Sequence, residues 1–181
     1  MTNKFRKLMK DLTCLVLALS MAGLFVACKK ESKTTNEDLG DYHEYLGEDY
    51  YDCTISAMVF ETPEGETEPG ILYRQVLDLE QLTKSCPLTV VFLFYSGMQG
   101  DSYGVFACME EVAEKYHDKV LIVTIDGIAE RELTSSYGIK AMPDAIVIRN
   151  NLQIARFDGT TRGEWTAIDL ADWIIENAVN Q

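Results

Sequence analysis

The sequence predicts an α/β domain in which a central mixed sheet is flanked by helices, with a β-hairpin extension on its N-terminal side. Residues 88–95 and 119–125 are rich in apolar and β-branched side chains, as in strands buried on both faces. An amphipathic helical pattern lies between them, which is the crossover that parallel strands need. Residues 145–149 precede a turn at Asn150 and Asn151 and a further strand, which indicates a hairpin.

The first elements are expected to form the N-terminal hairpin. Residues 54–60 and 71–76 favour strands, and the turn between them, residues 61–70, contains four acids and four proline or glycine residues. These carboxylates lack the spacing of a calcium loop, so we interpret the turn as solvated. A short helix is expected over residues 77–84, and Pro87 breaks the chain before the central strand.

Helices are expected to alternate with the remaining strands. A long helix is predicted to begin with a cap at Asp101 or Ser102, because apolar residues recur at helical spacing after this point. A second helix over residues 129–137 ends at Gly138, a residue suited to a C-terminal cap. A last helix, over residues 163–179, closes the domain.

Two motifs in this part of the chain resemble the thioredoxin family, over residues 71 to about 179. The first, Tyr137-Gly-Ile-Lys-Ala-Met-Pro143, is similar to the family's stretch that contains a cis-proline, which falls here on Pro143. The second, Glu111-Val-Ala-Glu-Lys-Tyr116, matches the end of the helix that follows the family's active site. The resemblance implies the thioredoxin fold.

The cysteines on which the family's redox chemistry depends are absent. Counting back from the end of the long helix, the family's motif of two cysteines separated by two residues falls on Gln99-Gly-Asp-Ser102. Disulfide exchange needs a thiolate that attacks and a second cysteine that resolves the mixed disulfide. The same register places Leu93 at the family's buried carboxylate and Met98 at its tryptophan. We therefore expect a protein that is not an enzyme.

The expected function is capture of an extended peptide or a partner protein, in a groove formed by Gln99, Ser102, Met142 and Pro143. In the family a polypeptide segment pairs with the backbone beside the cis-proline, and that contact needs no cysteine. Asp144 stands where the family commonly has threonine, which changes the groove. An atypical thiol-disulfide oxidoreductase that uses another cysteine is one alternative, and an accessory component of an export or envelope complex is another. We expect no metal and no cofactor.

The N-terminal residues 1–27 have the organisation of an export signal. Basic residues precede an apolar stretch, residues 12–27, whose length suits a signal peptide better than a membrane span. It ends in Leu24-Phe-Val-Ala-Cys28, which resembles the lipobox of bacterial lipoproteins, although Phe25 departs from the usual Leu, Val or Ile. The resemblance implies cleavage before Cys28, a lipid on that cysteine, and a domain on the extracytoplasmic side of the membrane. An uncleaved anchor and a cleavage without lipid are the alternatives.

Residues 28–53 are polar and acidic, and they are expected to form a flexible tether before the domain at residues 54–181. We interpret the tyrosines of the tether as solvated, with a clamp onto the domain as the alternative. Loss of residues 1–27 removes four of the 16 basic and one of the 29 acidic residues, which leaves a formal charge of −16. We therefore expect no nucleic-acid partner, and membrane attachment through the lipid alone.

Cys53, Cys86 and Cys108 stay in the chain that follows the lipid site. Export permits a disulfide between Cys53 and Cys86, and buried thiols fit the pattern as well. Cys108 lies between Val105 and Val112 on the apolar stripe of the long helix, which favours a place in the core over a role as nucleophile.

Overall fold

The structure is a computed structural model that describes residues 41–49, 53–98 and 102–180. Seven strands form one sheet: β1 (Leu46–Asp49), β2 (Ile55–Glu61), β3 (Gly70–Val76), β4 (Thr89–Tyr95), β5 (Val120–Asp126), β6 (Asp144–Arg149) and β7 (Leu152–Phe157). Four α-helices accompany them in the described part of the chain: α1 (Leu79–Ser85), α2 (Ser102–Lys115), α3 (Arg131–Ser136) and α4 (Ala167–Ile174). The strands lie in the order β1-β3-β2-β5-β4-β6-β7.

The two central strands, β4 and β5, are parallel. Thr89 lies opposite Val120 at one end, and Tyr95 lies opposite Asp126 at the other. All their residues except the last of each are buried, which explains why the sequence is apolar along both strands rather than at alternate positions. Because both strands run in the same direction, they end together at Tyr95 and Asp126. We call this end of the sheet the carboxyl edge.

An antiparallel hairpin borders the parallel pair on each side. On one side β2 pairs with β5, with β3 and then β1 outside it. On the other side β6 pairs with β4, and β7 is the outermost strand. Asn150 and Asn151 take φ angles of 51° and 60° in the turn between β6 and β7, a backbone conformation that asparagine tolerates. The predicted mixed sheet with its N-terminal hairpin is confirmed, and the hairpin joins the sheet through its first strand.

Helices cover both faces of the sheet with apolar side chains. On one face Met109 of α2 and Leu170 of α4 pack against strand residues that include Leu93. On the other face Leu82 of α1 packs among residues that include Phe92. Complete burial of such a side chain contributes roughly 1.5–3 kcal/mol relative to its exposure. These two layers supply the cover that a doubly buried parallel pair requires.

Capping interactions fix the start of α4. The helix begins at Ala167 rather than at residue 163, so the predicted start is wrong by about one turn. The Thr166 hydroxyl accepts the Asp169 N–H at 3.3 Å, and the Asp169 carboxylate accepts the Thr166 N–H at 2.7 Å. This reciprocal capping box satisfies donors that would otherwise lack partners at the first turn. A π-helical turn, Ile175–Val179, continues the helix.

The ends of α3 also depend on local hydrogen bonds. The Asp126 carboxylate accepts the N–H groups of Ile128 and Ala129 at 2.9 and 3.3 Å, so these residues form a turn and the helix begins only at Arg131. Gly138 has a φ of 63°, which confirms its predicted place after the C-terminus of the helix.

Residues 41–49, which the sequence assigned to a flexible tether, belong to the folded domain. A 3₁₀ turn over residues 41–45 precedes β1, and β1 pairs with β3. Tyr42 is only 1% exposed and packs in the core. The prediction of a flexible tether is therefore wrong for these residues, because the buried aromatic ring holds them on the domain. Residues 28–40 and 50–52 of the predicted tether, which include Cys28, and the signal at residues 1–27 lie outside the described residues.

None of the helices in the part of the chain that the structure describes is long and apolar enough to cross a membrane.

Candidate functional site

Met142 and Pro143, two of the four predicted groove residues, lie at the carboxyl edge, where loops leave β4 and β5. The Gly127 N–H donates to the Tyr95 carbonyl at 2.9 Å, which joins the loop after β5 to the end of β4. Asp126 donates its own N–H to the carbonyl of Thr54, just before β2, at 2.8 Å. Three segments distant in sequence therefore meet at this edge.

The loop after β4 exposes an apolar side chain. Ser96 is buried, and its hydroxyl accepts the Met98 N–H at 3.4 Å. Met98 itself is 86% exposed. Gln99 lies outside the described residues, and Ser102 is the first residue of α2, in agreement with the predicted start of that helix. Met98 thus offers a flexible apolar contact beside the position of the family's first cysteine.

Met142 and Pro143 lie beside the loop after β5. Their peptide bond is cis, as the resemblance to the family implied. A β-carbon at residue 127 would collide with the Met142 sulfur, so the glycine there allows the Met142 side chain to lie against this loop. Both Met142 and Pro143 are half-buried and keep part of their surface accessible. The structure therefore brings these two predicted groove residues to the edge where β4 ends.

Asp144 follows Pro143 directly and forms a buried ion pair with Arg156 of β7. Asp144 is 1% exposed, and its Oδ2 lies 2.5 Å from Arg156 Nη2 and 3.1 Å from Nε. Burial raises the pKa of the Asp144 carboxyl, and hydrogen bonds from Arg156 oppose that rise. The hydrogen bonds to Asp144 raise the pKa of the Arg156 guanidinium, which stays charged.

Arg156 also binds the backbone at the end of α3. Its Nη1 donates to the Tyr137 carbonyl at 3.3 Å, and its Nη2 donates to the Gly138 carbonyl at 3.2 Å. The sequence reasoning missed Arg156. The predicted hairpin turn could have pointed to this residue. In the β6–β7 register Arg156 lies opposite Ile146, and therefore close to Asp144 at the start of β6.

The interior beneath the edge is apolar at the position where the family has a carboxylate. Leu93 is fully buried in β4, opposite Thr124 on one neighbouring strand and Ala145 on the other. A leucine side chain neither accepts nor releases a proton, so this position supplies no buried acid or base to the edge.

A cysteine that the sequence did not assign to the site, Cys53, lies at the carboxyl edge. Because β2 runs antiparallel to β5, the residues just before β2 lie beside the end of β5. Burial raises the pKa of the Tyr95 hydroxyl, and the neighbouring Asp126 and Cys53 raise it further. These three titratable side chains therefore form a cluster at this edge.

The other two cysteines lie elsewhere. Cys86 and Cys108 carry free thiols, so the disulfide considered between Cys53 and Cys86 is not formed. Burial raises the pKa of the Cys86 thiol to about 11, which keeps it protonated and weakly nucleophilic at neutral pH. Cys108 is half-buried and packs against the core on the α2 side, in line with the predicted core position.

Within residues 41–49, 53–98 and 102–180, no three His, Cys, Asp or Glu side chains are grouped so that they could hold a metal ion.

Comparison with known proteins finds similarity to the part of the chain that follows β3. The sequence model of the family described as "Thioredoxin" matches residues 80–175. Thioredoxin-1 of Drosophila yakuba is 30% identical over 77 residues, which are 42% of this chain and 72% of that protein. The chloroplastic Thioredoxin Y of Oryza sativa subsp. japonica is 29% identical over 80 residues, which are 44% of this chain and 48% of that protein.

One solved structure is also similar to part of this chain. The crystal structure of the germline-specific thioredoxin Deadhead (Thioredoxin-1) of Drosophila melanogaster is 25% identical and covers 49% of this chain and 80% of that one, with a TM-score of 0.44. The family match begins in α1 and therefore includes the carboxyl edge and Pro143, but not β1, β2 and β3.

Proposed function

We propose, since the chain belongs to the thioredoxin family, that it captures an extended peptide or a partner protein beside Pro143, without disulfide exchange. The observation that carries the proposal is the presence of Gln99 and Ser102 where the family register has its two cysteines. Neither an amide nor a hydroxyl can form the mixed disulfide through which exchange proceeds. Both can donate and accept hydrogen bonds to a bound peptide.

Two properties of the carboxyl edge support binding and indicate the kind of segment that fits. Met98 is highly exposed and Met142 is half-buried, and methionine adapts its shape to varied apolar partners. Asp126 ends β5 and Glu130 lies on the loop that follows it, so carboxylates border this apolar surface. An extended segment that carries both apolar and basic side chains therefore complements the edge.

A basic unfolded chain without thiols or disulfides tests this function. The probe is reduced, carbamidomethylated ribonuclease A, and its Kd is measured by fluorescence anisotropy with the full chain in detergent. We expect Met98→Asp to weaken binding about tenfold, which corresponds to roughly 1.4 kcal/mol. Ile168→Asp is the matched control, because Ile168 is 65% exposed on α4 and takes no part in the groove.

Two results would overturn the proposal. One is the absence of probe binding by the unaltered protein, or an equal loss in Met98→Asp and Ile168→Asp. The other is reduction of insulin disulfides by the purified protein at a rate that a cysteine substitution abolishes.

The place of Cys53 at the carboxyl edge favours one alternative, an atypical thiol-disulfide oxidoreductase. In that reaction the Cys53 thiolate attacks one sulfur of a substrate disulfide, the other sulfur leaves as a thiolate, and an external thiol such as glutathione resolves the mixed disulfide. Cys53→Ser would then abolish insulin reduction in the presence of glutathione, whereas Cys108→Ser would leave it unchanged. Equal rates in both variants and in a blank without protein exclude this alternative.

We further propose that the protein is exported and anchored to a bacterial membrane through a lipid on Cys28. The lipobox-like segment Leu24–Cys28 supports this. Radiolabelled palmitate fed to an expressing bacterial host is expected to label the protein, and Cys28→Ser is expected to abolish the label. Cys14→Ser is the matched control, because Cys14 leaves with the signal. Label that persists in Cys28→Ser would contradict the assignment.

A further inference from the structure

We propose that Arg156 is a positioning residue of the groove: one guanidinium holds both ends of the segment 138–143, which carries Met142 and Pro143. The expected effect of Arg156 on peptide capture rests on the proposed function. Its expected effect on the order of residues 138–143 does not. Arg156 lies on β7, so the segment takes its position from a strand of the sheet.

The C-terminal end of the segment is held through Asp144. This residue begins β6, pairs with Phe94 of β4 in the sheet, and is almost completely buried. Arg156 binds its carboxylate through Nε at 3.1 Å and through Nη2 at 2.5 Å. Because Asp144 follows Pro143 without an intervening residue, its orientation sets where the proline begins.

The N-terminal end of the segment is held by the same guanidinium. Arg156 Nη1 and Nη2 donate to the carbonyls of Tyr137 and Gly138, at 3.3 and 3.2 Å. The Tyr137 ring packs edge-on against Phe92 of β4, with ring centroids 5.6 Å apart. Carbonyls at a helix C-terminus have no partner within the helix, so a donor from another element fixes them in place.

The geometry of the contacts requires arginine rather than lysine. A guanidinium presents several donors in a rigid plane, so it can bind a carboxylate on one side and two carbonyls on another. A lysine ammonium is a compact point charge that cannot span both ends of the segment. Without the Arg156 guanidinium the four residues between Gly138 and Pro143 would gain backbone freedom. Peptide binding would then have to order them, and the lost conformational entropy would weaken the affinity.

The chain contains a matched control for the loss of a buried arginine–carboxylate pair. Arg74 of β3 binds Glu61 of β2 through Nε at 2.5 Å. The side-chain exposures are 28% and 4% for this pair, and 23% and 2% for Arg156 and Asp144. Arg74 makes its backbone contact with Gly47 in β1, outside the groove.

The test compares Arg156→Met, Arg156→Lys and Arg74→Met in the full chain in detergent. Hydrogen–deuterium exchange is followed by mass spectrometry in peptides that cover residues 139–142 and, for reference, β4 and β5. Both Arg156 variants are expected to raise exchange over residues 139–142 at least tenfold relative to β4 and β5. They are also expected to weaken binding of carbamidomethylated ribonuclease A about tenfold. Arg74→Met is expected to change neither quantity selectively.

Exchange over residues 139–142 that rises no more in the Arg156 variants than in Arg74→Met would overturn the proposal. An unchanged Kd in a variant whose segment exchanges faster would also overturn it. If Arg156→Met does not fold, Arg156→Lys keeps the charge and decides the question by the same two measurements. If the unaltered protein does not bind the probe, the proposed function fails, and the exchange comparison still decides the role of Arg156.

Discussion

The two hairpins that border the parallel strands each bury one carboxylate against one arginine, yet the two arginines hold different parts of the molecule. In the β2–β3 hairpin Glu61 pairs with Arg74, and in the β6–β7 hairpin Asp144 pairs with Arg156. Both carboxylates are almost completely buried. The difference lies in the remaining donors of each guanidinium.

Arg74 uses a remaining donor on the Gly47 carbonyl at 3.5 Å, which supports the N-terminal segment of residues 41–49. Arg156 uses its remaining donors on Tyr137 and Gly138, next to the candidate groove. A buried ion pair contributes little net stability compared with apolar residues of the same volume, because removing both charges from water is costly. The same pair of charged groups therefore has a different role in each hairpin, set by the backbone that lies beside it.

The largest expected effect is the loss of one arginine. Arg156→Met is expected to lower the free energy of unfolding by about 4 kcal/mol, because Asp144 is left as an unpaired buried charge and two carbonyls lose a donor. Arg74→Met is expected to cost about 3 kcal/mol, because Glu61 loses its partner but one carbonyl contact is long. Urea unfolding followed by tryptophan fluorescence measures both.

Arg149→Met is the control for removal of an arginine without a buried charge. Arg149 donates to the neutral Thr89 hydroxyl at 3.1 Å, so the expected loss is under about 1 kcal/mol. A loss in Arg74→Met larger than that in Arg156→Met would contradict the expected order of the two arginines.

A second prediction concerns the N-terminal segment that Arg74 supports. Tyr42→Ala is expected to lower the free energy of unfolding by about 3 kcal/mol, because the ring is buried and its removal leaves a cavity. Tyr42→Phe keeps the ring and is expected to cost about 1 kcal/mol or less. Urea midpoints of the two variants test this. A loss below about 1 kcal/mol in Tyr42→Ala would show that residues 41–49 are not part of the folded domain.

A double replacement separates stability from position. Asp144→Leu combined with Arg156→Met removes both charges, so the free energy of unfolding is expected to stay within about 2 kcal/mol of the original value. Binding of the unfolded ribonuclease probe is nevertheless expected to weaken about tenfold, because the segment 138–143 loses its support. The corresponding pair, Glu61→Leu with Arg74→Met, is expected to leave binding unchanged. Equal binding in the two double variants would contradict a special role for Arg156.

A smaller effect is expected where Met142 touches the loop after β5. In Gly127→Ala the new β-carbon displaces the Met142 side chain, whose flexible end can move, so stability is expected to fall by less than about 1 kcal/mol. Probe binding is expected to weaken about threefold, because an apolar contact moves. Gly163→Ala is the control, since a β-carbon there meets open space. Anisotropy titrations that place both variants at the original Kd would remove Met142 from the groove.

The smallest expected effect is a dependence on pH near the first ion pair. Burial lowers the pKa of His43 from its ordinary value of 6.5, Glu61 opposes that shift, and Arg74 adds to it. Below about pH 6.5 the unfolded chain therefore binds a proton that the folded chain does not, and stability falls as the pH falls toward the lowered pKa. The His43 Nε2 is buried and, among the described residues, has no hydrogen-bond partner, which gives this direction a structural basis.

His43→Gln is expected to remove this part of the pH dependence. The measurement compares urea midpoints at pH 7.5 and pH 5.5 in the original protein and in the variant. An identical change between the two pH values in both proteins would show that His43 does not contribute.

Most of the fold follows from patterns that are local in the sequence. The apolar runs predicted β4, β5 and β6, and the turn at Asn150 and Asn151 predicted the hairpin, because strand burial and backbone conformation depend on a few neighbouring residues. The absence of cysteine at residues 99–102, after β4, needs no structure to be recognised. A cis bond before Pro143 was implied by the resemblance to the family, and the structure agrees.

Tertiary structure decided which distant residues share an environment. Three features depend on residues far apart in sequence: the burial of Tyr42, the position of Cys53 beside Tyr95, and the hydrogen bond from Arg156 to Tyr137. No helical or strand periodicity predicts such features. From the sequence alone, polar and aromatic side chains at these positions are expected to be solvated, because residues of these types are often exposed. Their contacts depend on the strand order of the sheet, which the sequence does not fix. The N-terminal hairpin joins the sheet through β2, and β7 lies where Arg156 reaches the end of α3.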